Sequence, residues 1–153
     1  MPRSRSSVVA ADVEKQLLGV WTLASFHSEF RATGEKKAFY GERPNGYTIF
    51  TPEQRMMVML TPEHRKKPDS DEDCIAAFRS MFAYSGIYRV EGDKFITKVD
   101  ISWNETLIGT DQVRFIKFEG DTLMGTTAWM PDPNTPGHPE FRGVAIWRRV
   151  KTP

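Results

Sequence analysis

Residues 94–103, KFITKVDISW, alternate between two sets of side chains, and this alternation constrains the fold more than any other feature. Lys98 and Asp100 belong to one set. The other set consists of Phe95, Thr97, Val99, Ile101 and Trp103. Successive side chains of a β-strand point to opposite faces, so the segment is predicted to be a strand with this second set on its buried face.

Short segments of the same kind follow one another along most of the chain, separated by turns that contain Gly or Pro. They predict strands at 19–30, 45–51, 54–61, 84–91, 94–103, 110–119, 122–130 and 142–150. With no second set of helices to cover one face of such a sheet, closure into a barrel is the economical way to remove its edges. The sequence therefore predicts an all-β fold, an up-and-down antiparallel barrel.

Two helical segments are predicted beside the strands. One or two turns at 11–18 lead into the first strand. A helix at 72–83 begins after Asp71, the predicted N-cap, and carries an apolar stripe that should face the core. The stripe consists of Ile75, Phe78, Met81 and Phe82.

Length and composition predict one domain at 11–150 after a disordered tail at 1–10, in a chain of 153 residues. Lys and Arg number 21 and Asp and Glu 20, so no overall field favours nucleic acid or an anionic membrane. No apolar run approaches the roughly 20 residues that span a bilayer. The chain also lacks an apolar signal core, and a lone Cys74 cannot form an internal disulfide. These features predict a cytoplasmic protein.

Two tight turns predict which residues of neighbouring strands meet. Across Gly92-Asp93, Tyr88 should pair with Thr97. If Phe95 also meets Phe118, then Arg114 lies opposite Val99. Across Gly120-Asp121 the predicted pairs are Phe118 with Leu123, Arg114 with Thr127, and Gln112 with Trp129.

This register predicts a polar band on the inner face of the barrel, made by Tyr88, Thr97, Arg114 and Thr127. An isolated buried guanidinium is very costly, and the three hydroxyls around it carry no negative charge. A cavity in which Arg114 meets water, a carboxylate or a ligand would resolve the cost. A purely structural arginine, a ligand-binding arginine and a catalytic arginine all remain open.

Other candidate groups are fewer. Neither His27, His64 nor His138 has metal-ligand spacing, and no paired carboxylates, nucleophile elbow or phosphate loop is evident, so no metal and no cofactor are predicted. His27 shares the strand parity of Trp21, which predicts that it faces inward. In the strand at 54–61, Met56 and Val58 share one face, and Met57 and Met59 the other. One face should line the cavity, and the second should lie under the helix or a partner chain.

Several blocks of the sequence, in order, resemble the lipocalin-like domain proteins of bacteria and fungi, which are calycin-type barrels. The resemblance extends over residues 14–149. Its blocks are LLGVWTLASF, RPNGYTIFTPEQRMMVML, AAFRSMFAYSGIYRVEGDKF, DISWN followed by GTDQVRFIKFEGDTL, and IWRR.

The resemblance implies an antiparallel barrel around a small-molecule cavity. It also implies that Trp21 packs at the closed end beneath Arg148 or Arg149, a cation–π contact of about 0.5–2 kcal/mol. Many relatives carry a histidine-rich pair where this chain has Thr97 and Lys98, which puts imidazole chemistry at that pair in doubt here.

The first functional hypothesis is binding of a small, largely apolar molecule with a carbonyl or carboxylate group. Arg114 would hold the polar group, with Tyr88, Thr97 and Thr127 around it. The remaining predicted ligand-binding residues are Val99, Trp103, Gln112, Phe118 and Trp129.

The second hypothesis is a cofactor-free isomerase, cyclase or dehydratase (a lyase) of specialised metabolism, acting on a polyketide- or terpenoid-like substrate. Arg114 would stabilise a developing enolate or alkoxide, Tyr88 or Tyr84 would donate a proton, and His27 would be the general base. The third hypothesis is an interaction module that uses the outside of the sheet. An exposed remainder of Phe39, Tyr40 and Met57 suggests a homodimer.

Overall fold

The computed structural model describes residues 5–133 and 135–153. Within these ranges the chain forms two α-helices, ten β-strands and a 3₁₀ turn at Glu105–Leu107. The helices are α1 (Arg5–Leu17) and α2 (Asp71–Arg79). The strands are β1 (Gly19–Phe30), β2 (Lys36–Lys37), β3 (Asn45–Phe50), β4 (Arg55–Thr61), β5 (Phe82–Glu91), β6 (Lys94–Ser102), β7 (Asp111–Glu119), β8 (Thr122–Thr126), β9 (Met130–Pro131) and β10 (Glu140–Arg149).

The sheet closes on itself, because β1 pairs with both β3 and β10. All pairs are antiparallel, and the barrel order is β1-β3-β4-β5-β6-β7-β8-β10. The short strands β2 and β9 add to β1 and β10 outside this ring. The predicted all-β antiparallel barrel is therefore confirmed, and closure removes the edges that an open sheet would expose.

Both helices differ from their predicted limits. Helix α1 begins at Arg5, so it extends into the predicted disordered tail, of which residues 1–4 lie outside the described residues. Helix α2 ends at Arg79, and its N-cap is Ser70, whose Oγ accepts a hydrogen bond from the Asp73 N–H at 3.1 Å. The predicted N-cap, Asp71, is instead the first helical residue.

The predicted core-facing stripe of α2 is wrong. Helix α2 buries no residue, and Ile75 and Phe78 are both about half exposed. The physical reason is the early end of the helix. Met81 and Phe82 lie beyond it, and Phe82 begins β5 and packs against the core of the barrel.

The closed end of the barrel is sealed by α1 and a buried tryptophan. The guanidinium carbon of Arg149 lies 4.2 Å from the centroid of the Trp21 ring. Arg149 also donates to the carbonyl oxygens of Leu18 at 2.8 Å and Gln16 at 2.6 Å, at the end of α1. The Trp21 Nε1–H donates to the Leu17 carbonyl at 2.9 Å. The contact implied for Trp21 is confirmed, with Arg149 as the partner.

A β-bulge in β1 reverses the predicted orientation of His27. Leu23 pairs with Trp147 but Ser25 pairs with the next residue of β10, Ile146, so Ala24 is an additional residue. A one-residue insertion exchanges the two faces of a strand. Phe26 and Ser28 therefore line the inside, and His27 shares the outer face with Glu29. The inward placement of His27 was wrong.

A second bulge, in β6, also reverses which face of the strand points inward. Ser85 pairs with Ile101 and Gly86 with Val99, which leaves Asp100 as the additional residue. Ile101 consequently lies on the outside and is 66% exposed, whereas the sequence placed it on the inner face. Gly86 permits the bulge, since a Cβ at this position would lie 1.9 Å from the Lys98 carbonyl oxygen.

The predicted hairpin pairs are confirmed wherever both strands extend far enough to form them. Tyr88 pairs with Thr97, and Phe118 with Leu123. The predicted contact of Phe95 with Phe118 is wrong, because Phe95 pairs with Arg114. This shift of four residues along β7 is even, so Arg114 keeps its inward face. Strand pairing of β8 stops at Thr126, one residue short of the predicted Arg114–Thr127 pair and well short of the pair between Gln112 and Trp129.

Candidate functional site

The barrel encloses an inner cavity of about 80 Å³ with a mostly apolar lining. Its wall includes two residues of the methionine strand β4, Met56 and Val58, as the face pattern of that strand predicts. Four polar or charged side chains also reach it, namely Thr48, Tyr84, Arg114 and Thr127. The larger apolar side chains of the lining are Phe26, Phe50, Phe82, Phe95, Ile116 and Trp147.

Arg114 is the one charged residue of this lining. Its Nη1 donates to the carbonyl oxygen of Val113 at 2.8 Å. Among the described residues no carboxylate oxygen lies within 4.0 Å of its guanidinium. A guanidinium has five N–H donors, and one is occupied here by a described residue. Arg114 can therefore offer donors to an acceptor inside the cavity.

The other polar groups of the lining are uncharged, and the Thr127 hydroxyl already has two hydrogen-bond partners. The Thr127 hydroxyl accepts from the Gly143 N–H at 2.9 Å and donates to the Ala128 carbonyl at 3.0 Å. Tyr84 is buried where β4, β5 and β6 meet, and it places a phenol in the same cavity as Arg114. The lining thus combines one cation and one phenol with apolar surface.

A larger outer chamber of about 590 Å³ adjoins the inner cavity. The two share Phe26, Thr127 and Gly143, which lie at their common boundary. A Cβ at Gly143 would lie 3.1 Å from the Phe26 ring, so this glycine leaves room for the ring at the boundary. The outer chamber carries two cationic side chains, Lys37 and Arg79, and its other lining residues include Phe39, Tyr40, Phe141 and Asp132.

The predicted polar band is only partly assembled. Arg114 and Thr127 line the cavity, but Tyr88 and Thr97 lie in the packed core and do not. Tyr88 packs edge-on against Phe50 at 5.1 Å between ring centroids. Burial, followed by the nearby Glu14 carboxylate, raises the pKa of Tyr88 above its ordinary value. The four-residue shift of β7 explains the separation, because it places Gln112 rather than Arg114 next to Thr97.

Three further predicted ligand residues pack elsewhere. Val99 is buried in the core, and Phe118 lies against Trp21 with ring centroids 6.2 Å apart, near the closed end. Gln112 donates its side-chain amide to the Thr110 hydroxyl at 3.0 Å. None of these three lines the inner cavity, so their predicted ligand contacts are not formed by the barrel wall.

The two predicted lining tryptophans lie outside the cavity as well. The Trp103 Nε1–H donates to the Phe78 carbonyl at 2.9 Å, which attaches it to α2. Trp129 follows the end of β8, and its ring contacts the guanidinium groups of Arg142 at 4.6 Å and Arg31 at 5.5 Å. In their place Trp147 of β10 lines the cavity.

His27 lies on the outer face of the barrel, among charged residues. Partial burial, followed by the positive charge of Lys36, lowers its pKa below the ordinary value. Its neighbours along the strand pairings include the ion pair between Arg142 and Glu29, which is 3.0 Å long. The side chain lines neither chamber. The role of general base predicted for it is therefore not supported by its position.

The sequence held a signal for some of the residues that it failed to assign. Alternation in NGYTIF places Thr48 and Phe50 on one face of β3, and RGVAIWRR does the same for Ala145 and Trp147 of β10. Phe26 had no such signal, because the bulge at Ala24 reverses its parity relative to Trp21.

In the part of the chain that the structure describes, no three His, Cys, Asp or Glu side chains are close enough to hold a metal ion together. Neither α1 nor α2, as described, has both the length and the apolar character needed to cross a membrane.

A closed antiparallel barrel with an internal cavity defines this chain as a member of the class of small ligand-cavity barrels. Residues 18–150 match the family model of the lipocalin-like domain. The chain therefore belongs to the lipocalin-like domain family, as its sequence blocks indicated. A search of curated proteins found no match.

Proposed function

We propose that this chain binds a small, largely apolar molecule in the barrel and that Arg114 holds a carbonyl or carboxylate group of that molecule. The observation that supports the proposal is a guanidinium that lines an otherwise apolar cavity with donors left free by the described residues. Sites of this kind are mostly apolar with a few polar groups that fix orientation. Hydrogen bonds between a guanidinium and a carboxylate are among the strongest in proteins.

The two chamber sizes suggest an elongated ligand. The inner cavity of about 80 Å³ is smaller than the roughly 300–1,000 Å³ of ordinary ligand sites. The outer chamber, at about 590 Å³, has ample room and adjoins the inner cavity at Gly143. A ligand would therefore insert its polar end and part of its apolar body into the barrel, and the remainder would lie in the outer chamber.

Matched ten-carbon probes test this proposal. We expect decanoate and methyl decanoate, which carry a carboxylate and a carbonyl, to bind more tightly than decanol, whose hydroxyl is a weaker neutral acceptor, with isothermal titration calorimetry as the readout. Arg114→Met should weaken decanoate binding by roughly 10- to 100-fold, since a hydrogen bond to a charged group contributes about 1.5–3 kcal/mol. The same variant should bind decanol with little change.

Arg89→Met is the matched control, because Arg89 lies on the outer face and pairs with Glu91 at 2.8 Å. It should leave all three affinities unchanged. Equal decanoate affinity in wild-type protein and Arg114→Met would remove Arg114 from the binding site.

Of the four groups predicted for an enzyme, two line the cavity. Tyr84 lines the same cavity as Arg114, which supports a cofactor-free isomerase, cyclase or dehydratase with Tyr84 as proton donor and Arg114 as the group that stabilises an enolate. Tyr88 and His27 do not line the cavity, so this proposal has no general base. Turnover of an enolisable ketone that is abolished by Tyr84→Phe would favour it over simple binding.

A cytoplasmic location is part of the same proposal. Its support is the lone Cys74, which is exposed and cannot form an internal disulfide. Fractionation of the cells that express the protein would test it, and recovery from the medium would contradict it.

A further inference from the structure

The outer surface of four neighbouring strands carries an unusual concentration of exposed apolar side chains. We call it the β3–β6 outer face. Its six large residues are between 37% and 66% exposed, and they are Tyr47, Ile49, Met57, Met59, Ile87 and Ile101.

Strand register shows that these side chains are contiguous. Ile49 pairs with Met57, Met57 with Ser85, and Ser85 with Ile101, which makes one row across β3, β4, β5 and β6. Tyr47 pairs with Met59 in the adjacent row. Directly opposite side chains on one face of a sheet have Cβ atoms about 4.5–5.5 Å apart. Five of the six residues therefore form one patch. Ile87 lies on the same face two residues after Ser85, at the edge of the patch, with Arg55 and Lys98 as its cross-strand neighbours.

Two features of the fold leave the patch uncovered. The face of Met57 and Met59 was predicted to lie under helix α2 or a partner chain, and both side chains are about half exposed, so α2 does not cover them. The bulge at Asp100 turns Ile101 outward, which adds an isoleucine to the face. The absence of a helix over Met57 and Met59 and the outward position of Ile101 both make the exposed apolar surface larger than the sequence predicted.

The size of the patch matches what a stable protein interface needs. Six side chains of this type, at about half exposure, present roughly 600 Å² of apolar surface. The largest patch of an ordinary monomer is about 300–600 Å². A standard interface buries about 800 Å² on each partner, of which about 500 Å² is apolar. The β3–β6 outer face thus supplies the apolar area of one side of such an interface.

Charges around the patch favour a partner with the same surface. Arg55 is neutralised by Asp100, with Nη2 and Oδ1 2.9 Å apart. Lys98 lies 3.9 Å from the Asp111 carboxylate. Because these charges balance, two identical faces can meet without like-charge repulsion, whereas an acidic or basic partner would find no complementary field. Flexible methionine side chains can also adapt to each other across such a contact.

We propose that the chain forms a homodimer in which the β3–β6 outer faces of two copies pack against each other. A two-fold interface uses the same patch on both subunits, so each residue of the face meets a residue of its own set. The strands of the described barrel ring pair on both sides, and the two strands outside it, β2 and β9, are only two residues long, so a contact between faces is favoured over pairing of strand edges.

Sedimentation velocity on the full chain, from about 1 to about 100 μM, tests the proposal. Wild-type protein should sediment with twice the mass of the 17.5 kDa chain. Met57→Glu and Ile101→Glu should each shift the protein to monomer over this range, because each places a charge in the buried centre of the contact. Both residues are exposed, so circular dichroism should show an unchanged fold.

Met130→Glu is the matched control, since Met130 is an exposed apolar residue of β9, which pairs with β10 and not with any strand of this face. It should remain dimeric. A wild-type monomer at about 100 μM, or a dimer that persists when Met57→Glu and Ile101→Glu are combined, would overturn the proposal. Neither position lines a chamber, so the combined variant should still bind decanoate, and the dimer and the ligand site can fail independently.

Discussion

Arg149 at the closed end of the barrel and Arg114 in the cavity differ in the groups that they bond. Arg149 lies over Trp21, donates to the carbonyls of Leu18 and Gln16, and has the Asp121 carboxylate 3.7 Å away. Arg114 donates to one carbonyl, that of Val113, and faces the cavity. An arginine on the inward strand face therefore does not by itself mark a ligand site. Donors left free by the described residues, facing space, are the distinguishing feature.

The difference follows from the position of each arginine in the chain. Arg149 ends β10 beside the end of α1, where helix carbonyls lack intrahelical partners and the helix dipole is negative. Both features favour a cation there. Arg114 lies inside β7, next to Phe95 across the strand pair and to Ile116 two residues on, and these neighbours offer no acceptor. We therefore expect Arg149 to control stability and Arg114 to control binding.

The largest effect is expected at the closed end. Trp21→Ala should lower the free energy of unfolding by about 3–5 kcal/mol, because it removes a fully buried ring from beneath Arg149. Chemical denaturation followed by circular dichroism measures this change. Trp103→Ala is the control, since Trp103 is only partly buried and packs on α2, and its cost should be clearly smaller. Equal costs would show that the closed end is not the stability centre.

Arg149→Met should cost about 2–3 kcal/mol of unfolding free energy. The change removes a cation–π contact and leaves the Gln16 and Leu18 carbonyls without their donor. Arg148→Met, on the adjacent outward-facing residue, should cost less than about 0.5 kcal/mol. Urea midpoints of the two variants provide the measurement. If Arg149→Met weakened decanoate binding but left stability unchanged, the two arginines would have been assigned the wrong roles.

A smaller effect, in the opposite direction, is expected at Thr97. This residue is fully buried, and its Oγ1 has no hydrogen-bond partner among the described residues. Burying an unpaired hydroxyl is unfavourable, so Thr97→Val, which conserves the shape, should raise stability by about 1 kcal/mol. Decanoate affinity should not change. A loss of affinity in Thr97→Val would show that the hydroxyl meets the ligand, as the sequence alone predicted.

Much of the fold could be predicted because the relevant signals are local. Alternation in KFITKVDISW and the turns at Gly92-Asp93 and Gly120-Asp121 predicted two hairpins that the structure contains. The inward face of Arg114 was also predicted correctly, although for a different register. A shift of four residues preserves strand parity, so the face was right while the neighbours of Arg114 were wrong.

The rest of the site depends on features that one strand does not reveal. The bulges at Ala24 and Asp100 exist only in the pairing of two strands, yet they decide that His27 and Ile101 face outward. Gly86 gave a weak hint of its bulge, because a glycine inside a strand often marks a close approach of backbone. Strand β8 also ends at Thr126, so Trp129 is not part of the barrel wall. The alternation of side chains alone predicted a strand that continues to Trp129.

NMR can follow the two arginine side chains separately and so test directly whether Arg114, and not Arg149, binds the ligand. Their Nε–H resonances can be assigned with the Arg114→Met and Arg149→Met variants and monitored while decanoate is added to the wild-type protein. We predict that the Arg114 resonance shifts in a saturable manner as the carboxylate occupies its donors and that the Arg149 resonance stays in place. An Arg114 resonance that remains unchanged while decanoate binds would contradict the account.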